Sequence, residues 1–179
     1  MTKIKAQAVR MSKLVTEISE AAIVDNDLVT KKRERFDLSI VISEIFDHYE
    51  ESNEFPDLRF TSNIQSKVLF TGLPERIGQV LVNLLDNAVS FTRPVGEIRV
   101  TLSKKWRKPV SLIIEDSGPG IQPEAVDIIF DRFYTSRHGD AAVENSSGLG
   151  LAIVKQIIEA HAGSIEVEDA EESGARFII

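Results

Sequence analysis

The sequence contains no cysteine and only three histidines among its 179 residues. Without cysteine there is no disulfide framework, no thiolate nucleophile and no cysteine-based zinc site. His48, His138 and His161 do not stand with other ligand residues at metal-binding spacings. Thiol chemistry and structural zinc binding are therefore excluded.

Long apolar runs and a dominant positive charge are also missing. No hydrophobic stretch approaches the roughly 20 residues that cross a bilayer, and no signal peptide opens the chain. The net charge is −7, with acidic and basic residues mixed along the chain, which argues against a nucleic-acid-binding surface. A composition of 42% hydrophobic and 27% charged residues predicts a soluble, cytoplasmic domain with one appendage and no membrane contact of its own.

The first segment, from Thr2 to about Thr30, has no glycine or proline and is predicted to be one long helix. Its apolar residues form two interleaved series with a period of seven: Ile4, Met11, Ile18 and Ala8, Val15, Ala22, Val29. Leu14, Ala21 and Leu28 widen this seam, which favours a helical bundle with partner helices, a second copy of the chain being the obvious source. A packing role within the same domain is the simpler alternative.

The charged run at residues 30–35 predicts a domain boundary, which divides the chain into 1–35 and 36–179. In the second part, Asp37 is expected to cap a helix from Leu38 to about Glu50, with Ile40, Val41, Ile45 and Phe46 facing inward. Strands are expected at 58–60, 68–70, 97–103 and 110–115, with a basic hairpin at 104–109. A closing hairpin is expected over 164–168 and 175–179.

The central element of the second part is a predicted helix that begins near Pro74. Its apolar residues recur at helical spacing: Ile77, Val80, Leu81, Leu84, Leu85 and Ala88. Asn83 and Asn87 are four residues apart, so their amides lie on one side of this helix. Such a pair suits Mg²⁺ and phosphate, because an amide oxygen is a hard ligand. Two solvated asparagines on a half-exposed helix are an equally good interpretation.

Two glycine-bearing loops favour the ligand interpretation. Asp116 ends an apolar strand and is followed by Ser-Gly118-Pro-Gly120, where a buried carboxylate could accept a hydrogen bond from the amine of adenine. Gly148-Leu-Gly150 opens a helix, and free amides at a helix N-terminus bind phosphate. The polar run from Thr135 to Ser147 lies between these loops and predicts a lid.

In this order, the asparagine pair, the Asp116 loop, the aromatics Phe130 and Phe133 and the Gly148 loop resemble the N, G1, F and G2 boxes of sensor histidine kinases. The similarity covers about Phe36 to the end as a catalytic ATP-binding domain. The opening helix resembles the second helix of their dimerisation hairpin. Residues 10–15 and 145–148 are most similar to the ChvG type. The fold implied is α+β, a two-layer α/β sandwich of the histidine kinase/Hsp90 type, preceded by a bundle-forming helix.

The resemblance also implies roles for individual residues. Asn87 would coordinate Mg²⁺, and Asn83 would support the phosphates as the second catalytic residue. Asp116 would bind the adenine amine of ATP. The remaining cofactor-binding positions implied are Gly118, Gly120, Ile121, Phe133, Gly148, Leu149, Gly150 and Leu151. Ser90 and Phe91 stand where the family often has a cation and a tyrosine, which leaves Arg93, Arg132 or Arg137 as phosphate partners.

The reaction implied is transfer of the γ-phosphoryl group of ATP to a histidine of a dimerisation hairpin, which then phosphorylates a response regulator. None of the three histidines lies in the family's phosphoacceptor motif, so this chain is expected not to phosphorylate itself. The intact protein would be a homodimer whose membrane-bound sensor carries this part in the cytoplasm. Alternatives are an ATP-driven clamp of the gyrase, MutL or Hsp90 kind, a non-catalytic scaffold with a decayed pocket, and a Ser/Thr kinase. The clamps need a general-base Glu at the position of Asn83.

Overall fold

The computed structural model describes residues 15–16, 18–19, 21–52, 54–92, 94–135, 147–170 and 174–179. After a helical segment at residues 21–30 come three helices, α1 (Leu38–Glu50), α2 (Pro74–Thr92) and α3 (Gly150–Ala160). The strands are β1 (Glu34–Asp37), β2 (Leu58–Ile64), β3 (Leu69–Gly72), β4 (Gly96–Lys104), β5 (Val110–Asp116), β6 (Glu166–Asp169) and β7 (Ala175–Ile178).

Five of the strands form one mixed sheet in the order β2-β4-β5-β7-β6. β2 runs parallel to β4, and the other neighbours are antiparallel. β1 and β3 form a separate antiparallel ribbon. The helices pack on one side of the large sheet, so the predicted α+β sandwich with a mixed sheet is confirmed.

The core lies between α2 and the sheet. The predicted apolar face of α2 is confirmed, because each of its members is at most 6% exposed: Ile77, Val80, Leu81, Leu84, Leu85 and Ala88. It meets alternate residues of the central strands, among them Ile98, Val100 and Ile114, which are also fully buried. This packing fixes α2 over β4 and β5, and therefore fixes the height of its polar side chains above the end of the sheet.

The cap of α1 is as predicted, but its inward face is different. The Asp37 carboxylate accepts a hydrogen bond from the Ser39 amide at 3.0 Å. Phe46 is buried as expected, whereas Ile40 is 55% exposed and its prediction is wrong. The buried stripe runs through Leu38, Ile42 and Phe46 at a spacing of four, which turns Ile40 toward solvent.

Residues 34–37 form β1, although the sequence places a charged connector up to residue 35. Strand β1 pairs with β3 in a register that sets Phe36 opposite Phe70, and their rings meet edge to face at 5.9 Å. The sequence of β1 has charges at three of its four positions. Its pairing therefore comes from β3 and from the helix that follows, not from its own composition.

The helical segment at residues 21–30 packs by one face against the layer that contains α2. Val24 is fully buried, and Asp27 forms ion pairs with Arg76 and with Lys31. The two seven-residue series of the predicted seam lie on another face, where Val15 is 63% exposed and Val29 is 85% exposed. Ala21 and Leu28, which were expected to widen the seam, instead pack partly buried against the core. The seam positions before residue 15 lie outside the described residues. Within the described part of the chain, no helix is both long and apolar enough to cross a bilayer.

Candidate functional site

The two asparagines of α2 are half-buried and lie one helical turn apart, as the sequence predicts. The Asn83 side-chain nitrogen donates a hydrogen bond to the carbonyl oxygen of Gly150 at 3.2 Å. This bond ties the middle of α2 to the first residue of α3. Among the described residues, no hydrogen bond involves the side chain of Asn87. Its amide therefore remains available on the same side of the helix.

Asp116 ends the central strand β5 with its side chain in the interior. The residue is only 5% exposed, and its Oδ1 atom accepts hydrogen bonds from the amides of Gly118 at 2.9 Å and Ala175 at 3.4 Å. Burial raises the pKa of the Asp116 carboxyl, and these two backbone donors oppose that rise. Every hydrogen bond that the described residues make to this group ends on Oδ1, so Oδ2 is left for a ligand donor.

Glycines surround Asp116 because no side chain would fit there. A Cβ at Gly118 would lie 2.8 Å from Asp116 Oδ1 and 3.0 Å from the carbonyl oxygen of Phe91. Gly174 has φ +97°, and a Cβ there would lie 1.8 Å from the carbonyl oxygen of Asp116. Phe91 is one turn after Asn87 on α2, so the end of α2 lies directly against the Asp116 loop.

The two ends of the predicted lid meet at its base. The Phe133 amide donates to the carbonyl oxygen of Gly148 at 2.9 Å, and both residues have positive φ, +68° and +71°. A Cβ at Gly148 would lie 2.4 Å from the carbonyl oxygen of Tyr134, so only glycine fits. The Phe133 ring is 59% exposed. Residues 136–146 of the lid, including Arg137 and His138, lie outside the described residues, as does Arg93.

Helix α3 begins at Gly150 without a side-chain cap. Its preceding residue, Leu149, makes no capping hydrogen bond to the first turn, and the Leu149 amide itself donates to Ser147 Oγ at 3.1 Å. The first-turn amides therefore keep their capacity to bind an anion. The Leu149 side chain is buried in the core, whereas Leu151 is half-buried. A Cβ at Gly150 would make an ordinary van der Waals contact with Asn83 Cγ at 3.9 Å.

The loop after Asp116 leads to a small cavity of about 190 Å³. Ile121 lines it together with Val126 and Val167. Gly120 has φ +77°, and it turns the chain from Asp116 toward this cavity. Of the predicted positions, Ile121 lines this cavity, whereas Asp116, Gly118 and Gly120 do not.

Gly174 and the amide of Ala175 contact Asp116. The resemblance implies that Ala175, which stands where the family usually has Thr or Ser, lies near adenine, but it does not predict the bond from the Ala175 amide to Asp116. Gly174 and Ala175 come from β7, which lies next to β5 in the sheet although it is 59 residues away in sequence. A Gly directly before a strand was the only local signal, and it does not show which strand becomes the neighbour. The structure does not join Asn87 to Asp116 directly, since no hydrogen bond between described residues links them.

The sequence model of one protein family, described as "Histidine kinase-, DNA gyrase B-, and HSP90-like ATPase", matches residues 72–179. This range contains every site residue described above. The chain belongs to this family. Within the histidine kinase-like ATPases, the position of Asn83 separates the clamps from the kinases, since a clamp would carry a general-base Glu there.

Relatives of the chain are sensor kinases. Sensor protein ChvG of Rhizobium meliloti (strain 1021) is 34% identical over 183 aligned residues, which cover 95% of this chain and 32% of that protein. The solved mycobacterial sensor histidine kinase MprB is 31% identical, with a TM-score of 0.69 over 82% of this chain and 94% of that chain. The expected membership in the sensor histidine kinases is confirmed, and the similarity to the ChvG type agrees with it.

Another similar solved structure is a complex of two proteins. Histidine kinase ThkA, solved in complex with response regulator protein TrrA, is 28% identical, with a TM-score of 0.72. The match covers 98% of this chain and 48% of that chain. The chain thus spans about a third of the length of its ChvG relative, and it corresponds to the catalytic part of such kinases.

Proposed function

We propose that this chain binds Mg²⁺·ATP and transfers the γ-phosphoryl group to a histidine of a dimerisation hairpin. The observation that carries the proposal is the Asp116 carboxylate, buried at the end of β5 with Oδ1 held by two backbone amides. A buried carboxylate whose other oxygen accepts no hydrogen bond from the described residues is a specific acceptor for an amine donor, because an unpaired buried charge is costly. The exocyclic amine of adenine supplies such a donor.

The phosphates would lie between α2 and α3. The uncapped first turn of α3 offers amides to anions, and Asn83 holds that turn in place through Gly150. The described residues contain no cluster of His, Cys, Asp or Glu that could hold a metal by itself. Asn87 would therefore provide the single protein ligand to Mg²⁺, and phosphate oxygens and water would complete the shell. When bound, Mg²⁺ neutralises charge on the β- and γ-phosphates.

The histidines of this chain do not suit the acceptor role. His161 Nε2 accepts a hydrogen bond from the Leu73 amide at 3.1 Å, and its Nδ1 lies 2.7 Å from the carbonyl oxygen of Ile157. Both ring nitrogens are thus engaged, and neither is free to attack phosphorus. His48 is exposed on α1 outside the family's acceptor motif, and His138 lies outside the described residues. The acceptor would be a histidine on a separate helix.

The exposed heptad seam supports a place for that helix. Val15, Ile18 and Val29 are each more than half exposed, although they repeat at bundle spacing. A dimerisation hairpin and its copy from a second subunit would cover them. The intact protein would then be a homodimeric, inner-membrane sensor whose cytoplasmic part includes this chain and whose phosphohistidine supplies a response regulator. The complex of ThkA with TrrA supports the regulator as partner.

The metal role of Asn87 is tested by the magnesium dependence of ATP binding in calorimetry. Wild-type chain should bind ATP more tightly with Mg²⁺ than with EDTA. In Asn87→Ala, the ratio of the ATP affinity with Mg²⁺ to the ATP affinity with EDTA should fall at least about tenfold. Even outer-shell partners of a metal contribute this much to its affinity. Asn63→Ala, an exposed asparagine of β2, is the matched control and should bind like wild type. An unchanged magnesium dependence in Asn87→Ala would show that Asn87 is not the ligand.

A further inference from the structure

The tip of the β4–β5 hairpin is unlike the rest of the surface. Residues 104–109 are all exposed, and the side chain of Trp106, the sole tryptophan of the chain, is 87% exposed. Lys104 and Lys105 precede Trp106, and Arg107 and Lys108 follow it. Four cations and a large aromatic side chain thus stand within five consecutive residues of a chain whose net charge is −7.

The strand segments around this cluster carry no acidic residue, and Asp37 of β1, which lies opposite Leu69, accepts a hydrogen bond from Ser39. Residues 98–114 and 58–74 contain no Asp or Glu, and these stretches form the strands on either side of the tip. No ion pair between described residues engages the four cations. Lys67 adds a fifth positive charge near the tip. Gln65, two residues before Lys67, accepts a hydrogen bond from the Lys104 amide at 2.8 Å.

The hairpin presents these side chains rigidly. β4 and β5 pair without interruption from Ile98 opposite Asp116 to Lys104 opposite Val110. Lys104 Nζ also donates to the carbonyl oxygen of Leu69 at 3.3 Å, which ties the tip to β3. The Arg107 guanidinium lies 5.9 Å from the centre of the Trp106 ring, so charge and aromatic surface form one unit. Little conformational entropy would be lost when this unit binds.

We propose that the hairpin tip is a peripheral contact for an anionic lipid bilayer, with Trp106 at the headgroup level and the surrounding cations against anionic headgroups. Tryptophan prefers the membrane–water interface, and juxtamembrane Lys and Arg are attracted to anionic lipid. A tip of six residues is too small for a stable protein interface, which needs about 800 Å² from each partner. A bilayer needs no complementary shape.

The net negative charge of the chain does not prevent this contact. Charges are screened beyond roughly 8 Å at physiological ionic strength, so the bilayer responds to the tip and not to the whole chain. The expectation of no membrane contact came from the lack of apolar spans, which does not bear on surface binding. Asp116 is at the opposite end of β5, about 20 Å away for seven residues of strand. A bilayer-bound tip would leave the nucleotide site open.

The fluorescence of Trp106 reports on its own environment, because Trp106 is the sole tryptophan of the chain. Vesicles of phosphatidylcholine with 40% phosphatidylglycerol should shift its emission to shorter wavelength and carry the chain into the pellet on centrifugation. Neutral phosphatidylcholine vesicles should do neither, and 0.5 M NaCl should reverse the binding. Equal binding to neutral and anionic vesicles, or no shift with either, would overturn the proposal. A shift with polyglutamate but not with vesicles would instead identify an acidic protein as the partner.

Charge reversal distinguishes the tip from general surface charge. Each cation near an anionic surface contributes roughly fivefold in partition, so Lys105→Glu with Lys108→Glu should weaken vesicle binding at least about 25-fold. Arg59→Glu with Lys155→Glu is the control, because both residues are exposed, lie away from the tip and change the net charge equally. Both double variants should bind ATP like wild type. An equal loss of vesicle binding in the control would refute the role of the tip.

Discussion

Replacing Asp116 by Asn tests the adenine contact with little change in shape. The variant keeps an oxygen for the Gly118 and Ala175 amides, which are 2.9 and 3.4 Å from Oδ1. The other oxygen becomes an amide nitrogen, and this donor would face the donor amine of adenine. A hydrogen bond to a charged group contributes about 1.5–3 kcal/mol, so ATP affinity should fall roughly 10- to 150-fold.

The assay is calorimetric titration with ATP and GTP in the presence of Mg²⁺. Wild-type chain should prefer ATP, because guanine presents a carbonyl where adenine presents an amine. Asp116→Asn should narrow or reverse that preference. Glu115→Gln makes the same chemical change one residue earlier, on the other face of β5, where Glu115 pairs with Arg176 at 3.6 Å. ATP affinity that is equal in Asp116→Asn and Glu115→Gln would refute the adenine role.

The raised pKa of Asp116 adds a pH dependence with a defined sign. Burial favours the protonated acid, so the carboxylate that accepts the amine is lost as pH falls through a value above the ordinary 3.9 or so. Wild-type ATP affinity should therefore fall more than that of Asp116→Asn as pH is lowered from neutral toward the ordinary pKa of the carboxyl. As pH rises through the interval between its ordinary and its raised pKa, ionisation of this group lowers the stability of the fold, and the loss is complete above that interval. Without nucleotide, Asp116→Asn should accordingly be at least as stable as wild type at neutral pH, as measured by thermal unfolding.

Two further substitutions test the packing around the site. Gly174→Ala should cost at least about 1–3 kcal/mol in unfolding free energy and weaken ATP binding, because φ is +97° and the added Cβ would meet the Asp116 carbonyl. Gly78→Ala, inside α2, is the control and should cost much less, because alanine favours the helix and the closest contact of the added Cβ would be the end of the Ile45 side chain, at 3.3 Å. Asp27→Asn should speed hydrogen exchange at residues 21–30, since the hydrogen bond from Arg76 holds the Asp27 pKa below its usual range.

The predictions for Gly174→Ala and Asp27→Asn can each be contradicted by one result. Urea unfolding that shows Gly174→Ala to be as stable as Gly78→Ala would mean that the β7 turn tolerates a side chain. For Asp27, the depressed pKa means that its contribution is present above about pH 4 and lost below it. Exchange at residues 21–30 that is the same in wild type and Asp27→Asn at pH 7 would show that the ion pair does not hold this segment.

The order of helices and strands followed from local patterns. The alternation of apolar residues in β4 and β5 and the helical spacing in α2 each depend on a period that the fold preserves. The Asp37 cap was also predictable from the local sequence, because its partner Ser39 is only two residues away. Strand β1 was not predictable, because Glu34 and Arg35 have no apolar period and pair only when β3 lies alongside.

The site was predictable where it lies on one continuous segment and not where distant segments meet. Asn83, Asn87, Asp116 and Gly148 were proposed from short motifs, and their roles stay predictions. The contact of Gly174 and Ala175 with Asp116 depends on β7 lying beside β5, a long-range pairing with no local signal. The bond from Asn83 to Gly150 likewise depends on how α2 and α3 pack, so the bracing role of Asn83 came only from the structure.

The most direct test of the proposed function is phosphoryl transfer from γ-labelled ATP to a histidine-bearing dimerisation hairpin, followed by gel electrophoresis. We expect label on the added hairpin, stable in base and labile in acid, and none on this chain when it is incubated alone. Transfer should be slow, because no covalent tether raises the effective concentration of the hairpin. Asp116→Asn should reduce it further. Rapid labelling of the chain alone, acid-stable label, or ATP binding without any transfer to the hairpin would contradict the account.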